Sequence, residues 1–380
     1  MNKKEAQETG KPVGGTNRNK AWIRRIVGAI VLASMLLTLP TTRPADAAQA
    51  RTLDRAIAAG LQAGSQRGGT QGGDSLPQIG QPIALQAGFD GAGGTVAMLD
   101  TGVDFTRPEF GSCTKPGKGC KVIAAADIAP QDGQADDSGH GTWTAAIVAE
   151  VAPAANIVSL DVFNGGWVYD SDVVAALKWV LRNQAKYDIK VVSMSVGHYR
   201  EYHAKDCRGS ILDAPIAALR AAGVLPVAAA GNQGTFAGKF TAGVSFPACV
   251  PGVVSVGAVY NSSGDPVTYD GGWMNCKDRS VELDVPACFS QSGSNLDVWA
   301  PGAFVSAGPW AGGYGTSAAA PFVAGAAVLV AQASPNATVD QIEGAIKAAG
   351  PIVKDMRAKV TVRAHRLDVP GAIEAIKSTI

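Results

Sequence analysis

Charge is scarce in this chain. Asp, Glu, Lys and Arg make up 17% of its 380 residues, against about 25% in an ordinary soluble domain. The formal net charge is +1, so nothing marks the whole chain as a partner for nucleic acid or an anionic membrane. Histidine is rarer still, with His140, His198, His203 and His365 alone. Few side chains therefore qualify as a proton acceptor near neutral pH. The six cysteines contain no CxxC pair and no Cys/His spacing of a zinc site. No internal repeat of roughly 20–50 residues is present, which excludes a solenoid or propeller. What the chain has in quantity is small and apolar residues, with 46 glycines and 46% hydrophobic residues. That composition suits tightly packed α/β layers around a large core.

The charge is unevenly placed. Residues 1–47 hold eight basic residues and three acidic ones, which leaves 25 basic and 29 acidic residues, a net −4, for the remainder. A basic stretch ends at Arg24-Arg25. From Ile26 to Leu39 the chain is apolar apart from Ser34 and Thr38, and Pro40 stops the run. Ala45-Asp46-Ala47 fits the small-x-small pattern of a cleavage site, so residues 1–47 read as an export signal. The apolar run, about 14 residues, falls short of the ~20 needed to span a bilayer. Secretion is expected, with transient membrane contact through the signal. An uncleaved membrane anchor is the second reading, because the basic region is long. After export, an even number of cysteines favours disulfides. Six cysteines allow 15 connectivities; Cys113–Cys120 and Cys276–Cys288 bracket short segments that could close into loops, which would leave Cys207–Cys249 as the third pair.

Residues 48–79, rich in Ala, Gly, Gln and Arg, read as a short pro-segment or linker without a stable fold. Beyond it, β-branched runs alternate with Ala-rich helical stretches. Strands are expected at Thr95–Asp100, Ile157–Val162, Lys190–Val196, Val224–Ala229 and Val253–Val259. Between them, Ser171 is placed to cap a helix bearing Val173, Val174, Leu177, Val180 and Leu181. Leu212–Ala222 is a second helix, ended by Gly223. Strands apolar on both faces and separated by helices predict a doubly wound, mostly parallel sheet with helices on both faces. Residues 80–380 are expected to form this single domain. Ligands of such sheets gather at the carboxyl ends of the strands.

Three segments carry residues suited to nucleophilic catalysis. Asp100 ends an apolar strand, where a buried carboxylate needs donors or a cationic partner. His140 lies between two glycines in Asp137-Ser138-Gly139-His140-Gly141-Thr142, leading into a small-residue helix at Trp143–Glu150. Ser317 opens a helix apolar all round, with Pro321 read as falling in the first turn. Its oxygen would lie near unpaired N–H groups and the positive end of the helix dipole. Asn232, after the strand ending at Ala229, carries an amide suited to a developing oxyanion. Ser195, Val196 and Gly197 end another strand and are suited to pairing with an extended substrate. Taken singly, each has a plainer reading: a turn residue, a helix-start histidine, a helix cap or an ordinary strand end. His198 and His203 lie in a polar stretch and read as solvated.

Taken in order, the segments resemble the subtilisin-like serine protease family. The motifs are DTGVD at Asp100–Asp104, GHGT at Gly139–Thr142, SMSVG at Ser193–Gly197, AAGN at Ala229–Asn232 and GTSAAAP at Gly315–Pro321. FPA at Phe246–Ala248, DVWAPG at Asp297–Gly302 and RLD at Arg366–Asp368 extend the resemblance over about residues 80–380. The order Asp, His, Ser is a known variant of the catalytic triad. The resemblance implies that Asp100 orients His140, that His140 takes the proton of Ser317, and that Asn232 holds the oxyanion. Residues Ser195–Gly197 would then line the substrate cleft.

Two positions depart from the family pattern: Trp143 stands where a second histidine is usual, and Ala318 where methionine is usual. The expected enzyme is a secreted, monomeric serine endopeptidase acting on proteins or peptides. It needs no cofactor for its chemistry. Calcium is common in the family, but no Asp/Asn cluster here is clean enough to name ligands. A dedicated processing protease or a peptide ligase of the same fold is the alternative. A catalytically dead binding protein is a further one. The segment from Ala48 to about Gly80 is too short for the family's usual folded prodomain, so either folding needs no intramolecular chaperone or the disulfides and residues 48–80 substitute for it; a polypeptide from about residue 76 is expected still to fold.

Overall fold

The computed structural model describes residues 75–129, 133–357 and 361–379. The expected export signal at 1–47, and residues 48–74 of the expected pro-segment, lie outside them. The boundary drawn at residue 80 falls between two short helices, α1 (Ser75–Gln78) and α2 (Gln81–Gln86).

Strand β1 (Thr95–Asp100) is buried along its whole length. It is followed by β2 (Val122–Asp127), helix α3 (His140–Val151), β3 (Asn156–Asp161), α4 (Asp170–Tyr187) and β4 (Ile189–Met194). Next come α5 (Asp213–Ala221), β5 (Leu225–Ala229), β6 (Val254–Tyr260), β7 (Val298–Ala307) and β8 (Trp310–Tyr314). Helices α6 (Thr316–Ala333) and α7 (Val339–Ala348), strands β9 (Ile352–Asp355) and β10 (Val362–Arg366), and helix α8 (Val369–Ser378) complete the fold. The central sheet runs β9-β10-β7-β6-β5-β4-β1-β3-β2, with β8 on β7. From β2 to β10 every neighbouring pair is parallel; β8 and β9 join antiparallel.

The period of two along each strand divides the side chains between two cores. On β1, Val96 and Met98 join Val148 of α3, Phe322 of α6 and Ile373 of α8. Ala97 and Leu99 point the other way, to Val173 and Leu177 of α4 and Ile216 of α5. The sheet is thus covered on both faces, as strands apolar on both sides require. By length and composition α6 would also cross a membrane, but 83% of that stretch is buried inside the fold. It is the core helix of one layer.

The expected strands form to within two residues at either end. Two start signals read differently in three dimensions. Helix α4 begins at Asp170, with Tyr169 as its cap and no side-chain cap, so Ser171 does not cap it. Asp170 and Asp172 place negative charge in the first turn instead. Helix α3 begins at His140 itself, not at Trp143. The three cysteine pairs form as expected, with Cα–Cα distances of 5.8 Å for Cys113–Cys120, 5.3 Å for Cys207–Cys249 and 6.0 Å for Cys276–Cys288.

Candidate active site

The parallel sheet brings the carboxyl ends of its middle strands together, and the candidate residues collect there. Asp100 is the last residue of β1 and is 1% exposed. A charge so buried requires compensation, and three donors supply it. Asp100 Oδ1 contacts His140 Nδ1 at 2.6 Å and accepts the Thr101 N–H at 2.8 Å. Oδ2 accepts the Thr144 hydroxyl at 2.9 Å. Thr144 lies one turn along α3 from His140, so a single helix turn presents both partners.

Glycine at 141 permits this approach. A Cβ there would lie 2.0 Å from the Gly102 carbonyl oxygen and 3.2 Å from Asp100 Cβ. Any side chain would drive the start of α3 away from β1. The helix is anchored further by Asp136. Its Oδ1 accepts the Thr101 hydroxyl at 2.7 Å and the Gly139 N–H at 2.8 Å. Its Oδ2 accepts the Thr142 N–H at 2.7 Å and the Thr142 hydroxyl. A carboxylate at a helix N-terminus also meets the positive end of the dipole.

Burial pushes the His140 imidazole down, but the charge and hydrogen bond of Asp100, with the charge of Asp136, outweigh it. The net result is a pKa above the ordinary 6.5. The Asp100 contact occupies Nδ1, which leaves Nε2 for the cleft.

Ser317 is the second residue of α6, whose cap is Gly315. Pro321 is the sixth residue, one turn deeper than the sequence suggests. This placement has a consequence for Ser317. Proline has no N–H, so the Ser317 carbonyl loses its helical donor four residues on. The Ser195 hydroxyl takes that place, donating to Ser317 O at 2.9 Å. The run Ser195–Gly197 therefore touches the Ser317 segment, through Ser195. It lies just beyond β4, which ends at Met194, and not within the strand as expected.

Asn232 is 5% exposed. Its Oδ1 accepts the Thr316 N–H at 2.7 Å and the Thr316 hydroxyl at 2.9 Å. These bonds orient the amide so that Nδ2 keeps its donors for something else.

His140, Ser195, Val196, Gly197, Asn232 and Ser317 all line one cleft. Among the described residues no hydrogen bond joins the Ser317 hydroxyl to the His140 ring. In ligand-free sites such bonds are often long and tighten when substrate binds.

Other wall residues gave little sign in the sequence. Phe163 and Val168, from a two-stranded hairpin at Phe163–Asn164 and Trp167–Val168, form one side. Gln233 and Trp273 form part of another, and Gln233 Nε2 donates to Trp273 O at 3.2 Å.

His198 also lines the cleft; its side chain is 40% exposed, as the solvated reading expects, but both ring nitrogens have partners. Its Nε2 contacts Asp170 at 2.9 Å and its Nδ1 contacts Glu201 at 2.5 Å, while His203 contacts the other Glu201 oxygen. Burial lowers the His198 pKa, but the hydrogen bonds and charges of Asp170 and Glu201 raise it above 6.5 overall. The spacing His198-x-x-Glu201-x-His203 is the signal that could have revealed this network.

One group of metal-type donors converges among the described residues: His203, Cys207 and Cys249. Its two sulfurs are joined in a disulfide, so they are not thiolate ligands and the group does not fit a metal.

The family model described as the Subtilase family, peptidase S8, matches residues 91–361. The chain belongs to the subtilase family. Among curated subtilases, subtilisin E of Bacillus subtilis (strain 168) is 29% identical over 284 residues. That alignment spans 70% of this chain and 63% of subtilisin E. Alkaline serine exoprotease A of Vibrio alginolyticus is 29% identical over 286 residues, which is 72% of this chain and 45% of that protein. The chain thus covers less than two thirds of the length of these relatives. Among solved structures, a cold adapted subtilisin-like serine proteinase is 27% identical with a TM-score of 0.56. It covers 74% of this subtilase and 90% of its own chain.

Proposed function

We propose that this subtilase is a serine endopeptidase with Asp100, His140 and Ser317 as its triad and Asn232 in its oxyanion pocket. The observation that carries this reading is the 2.6 Å contact between Asp100 and His140 at the edge of a cleft that Ser317 and Asn232 also line.

Each step follows from the groups at hand. His140 Nε2 takes the Ser317 hydroxyl proton as Oγ attacks the peptide carbonyl carbon. Asp100 stabilises the imidazolium that forms. The tetrahedral oxyanion receives hydrogen bonds from Asn232 Nδ2 and from the Ser317 backbone N–H, which has no acceptor in the first turn of α6. His140 then gives its proton to the departing amine, leaving an acyl-enzyme. Water attacks next, with His140 as base, and regenerates Ser317. These side chains move every proton the reaction requires, and no cofactor enters. Ser195–Gly197 would hold an extended protein or peptide substrate along the cleft. Three disulfides fit an oxidising compartment, which supports action outside the cell by a secreted enzyme.

A serine-reactive fluorophosphonate tests the assignment. Wild type should gain the mass of one probe, and Ser317→Ala should gain none. A wild type that stays unlabelled while folded, or labelling that survives in Ser317→Ala, refutes the triad.

A further inference from the structure

Trp143 is three residues beyond His140 on α3 and is 2% exposed. Its ring meets the imidazole edge-on, with centroids 6.1 Å apart and planes inclined by 71°. The same indole reaches β8, the strand that leads into Ser317. A Cβ on Gly313 would lie 2.4 Å from Trp143 Cζ2, 2.9 Å from Cη2 and 3.0 Å from Cε2. Gly313 does not have a left-handed φ, so the indole, not the backbone conformation, excludes a side chain there. The next residue, Tyr314, packs against Tyr269 with centroids 4.8 Å apart. The segment entering the nucleophile helix is therefore seated on Trp143 at one residue and held by Tyr269 at the next.

The indole also carries an unsatisfied group. Trp143 Nε1 is buried with no hydrogen-bond partner, a state that native structures largely avoid. A side chain chosen only to fill the core would more readily be apolar throughout.

We propose that Trp143 is a positioning residue: wedged between His140 and Gly313, its indole sets the spacing between the base and the Ser317 nucleophile. This rests on the triad reading above. Trp143 transfers no proton and touches no substrate; it acts through the placement of two residues that do. Small errors in such placement reduce turnover far more than binding.

The test uses the full chain and a chromogenic peptide substrate. Gly313→Ala pushes β8 off the indole, so kcat should fall at least about tenfold with KM within about twofold. Adding Trp143→Phe removes the ring atoms that clash, and the double variant should recover most of that loss. Trp143→Phe alone should lower kcat by about three- to tenfold. Its acid limb in the pH profile should stay in place, because the Asp100–His140 contact is untouched. A role in packing alone would change thermal stability without this kcat-against-KM split or the cross-rescue. Wild-type kcat in Gly313→Ala, or losses that multiply in the double variant, overturns the proposal. Should Gly313→Ala fail to fold, Trp143→Phe alone decides, and wild-type kcat there overturns it equally. Fluorophosphonate labelling of wild type, run alongside, separates the two claims. An inert wild type refutes the triad and the spacer with it, whereas a reactive wild type with unaffected variants refutes the spacer alone.

Discussion

In the proposed mechanism His140 must be neutral to accept the Ser317 proton, and its pKa lies above 6.5 because the Asp100 and Asp136 charges outweigh burial. Activity should therefore rise with pH through a midpoint above 6.5, seen in kcat/KM against pH. The ion pair with Asp100 also stabilises the fold. That contribution is fully present below 6.5 and fades as pH rises through the raised value. Asp100→Asn removes the charge and favours the wrong tautomer, so kcat should fall about 10⁴-fold. The remaining acid limb should move to lower pH. A wild-type midpoint below 6.5 would contradict the balance of forces assigned to this imidazole.

Asp100, His140, Ser317 and Asn232 stand out as candidates in the sequence because each sits in a short motif whose glycines and small residues point to close backbone approach, and the fold brings them to one cleft. Asp136 and Thr144 do not stand out. Their importance lies in hydrogen bonds to Thr101, Thr142 and Asp100, and nothing in their own neighbourhood names those partners.

The start of α3 and the end of β3 show how an element's terminus is shaped by its surroundings. Asp161 ends β3 beside Asp100 in the sheet register. Burial pushes its carboxyl up to about 8; the Phe163 N–H opposes this, and the charges of Asp137, Asp127 and Asp136 reinforce it. A carboxyl with a folded pKa above its unfolded 3.8 favours the fold at low pH and loses that advantage as pH rises toward 8. Asp161→Asn keeps an oxygen for Phe163 but carries no charge to bury. Its melting temperature relative to wild type should rise between pH 5 and pH 9. An unchanged difference across that range would show that Asp161 is ionised at little cost. Strand and helix interiors were readable from apolar periodicity, whereas the termini were misplaced by up to a turn. Pro321 illustrates why. A proline near a helix start was read as a first-turn residue, but in the second turn it frees the Ser317 carbonyl for Ser195.

Helices α1 and α2 tie the start of the described chain to distant parts of the fold. The Val369 N–H donates to Ile79 O at 2.9 Å, and Gln81 Nε2 donates to Glu150 O at 2.8 Å at the end of α3. Ile79 is fully buried. A chain beginning at Ser75 should therefore fold cooperatively, by circular dichroism on heating. One beginning at Ala87 exposes the Ile79 site, worth about 2–5 kcal/mol by core truncation, and should melt roughly 5–10 °C lower. Equal melting temperatures would show that the two helices are dispensable. The disulfides act on the same scale. Cys207–Cys249 closes a 42-residue separation and pins the polar stretch around His203 to the segment after Phe246.

The sequence by itself determined the layer architecture and marked the candidate residues that meet at the cleft. Alternating apolar strands and helices have few ways to bury both sheet faces, and the candidate residues lie in local motifs. The tertiary structure decided which groups meet. It joined Ser195 to the Ser317 carbonyl, set His198 between Asp170 and Glu201, and placed Trp143 beneath Gly313. These pairings join segments 28 to 170 residues apart, apart from the local His198–Glu201 contact. A contact between such segments depends on strand order and register across the whole sheet, which no local pattern encodes.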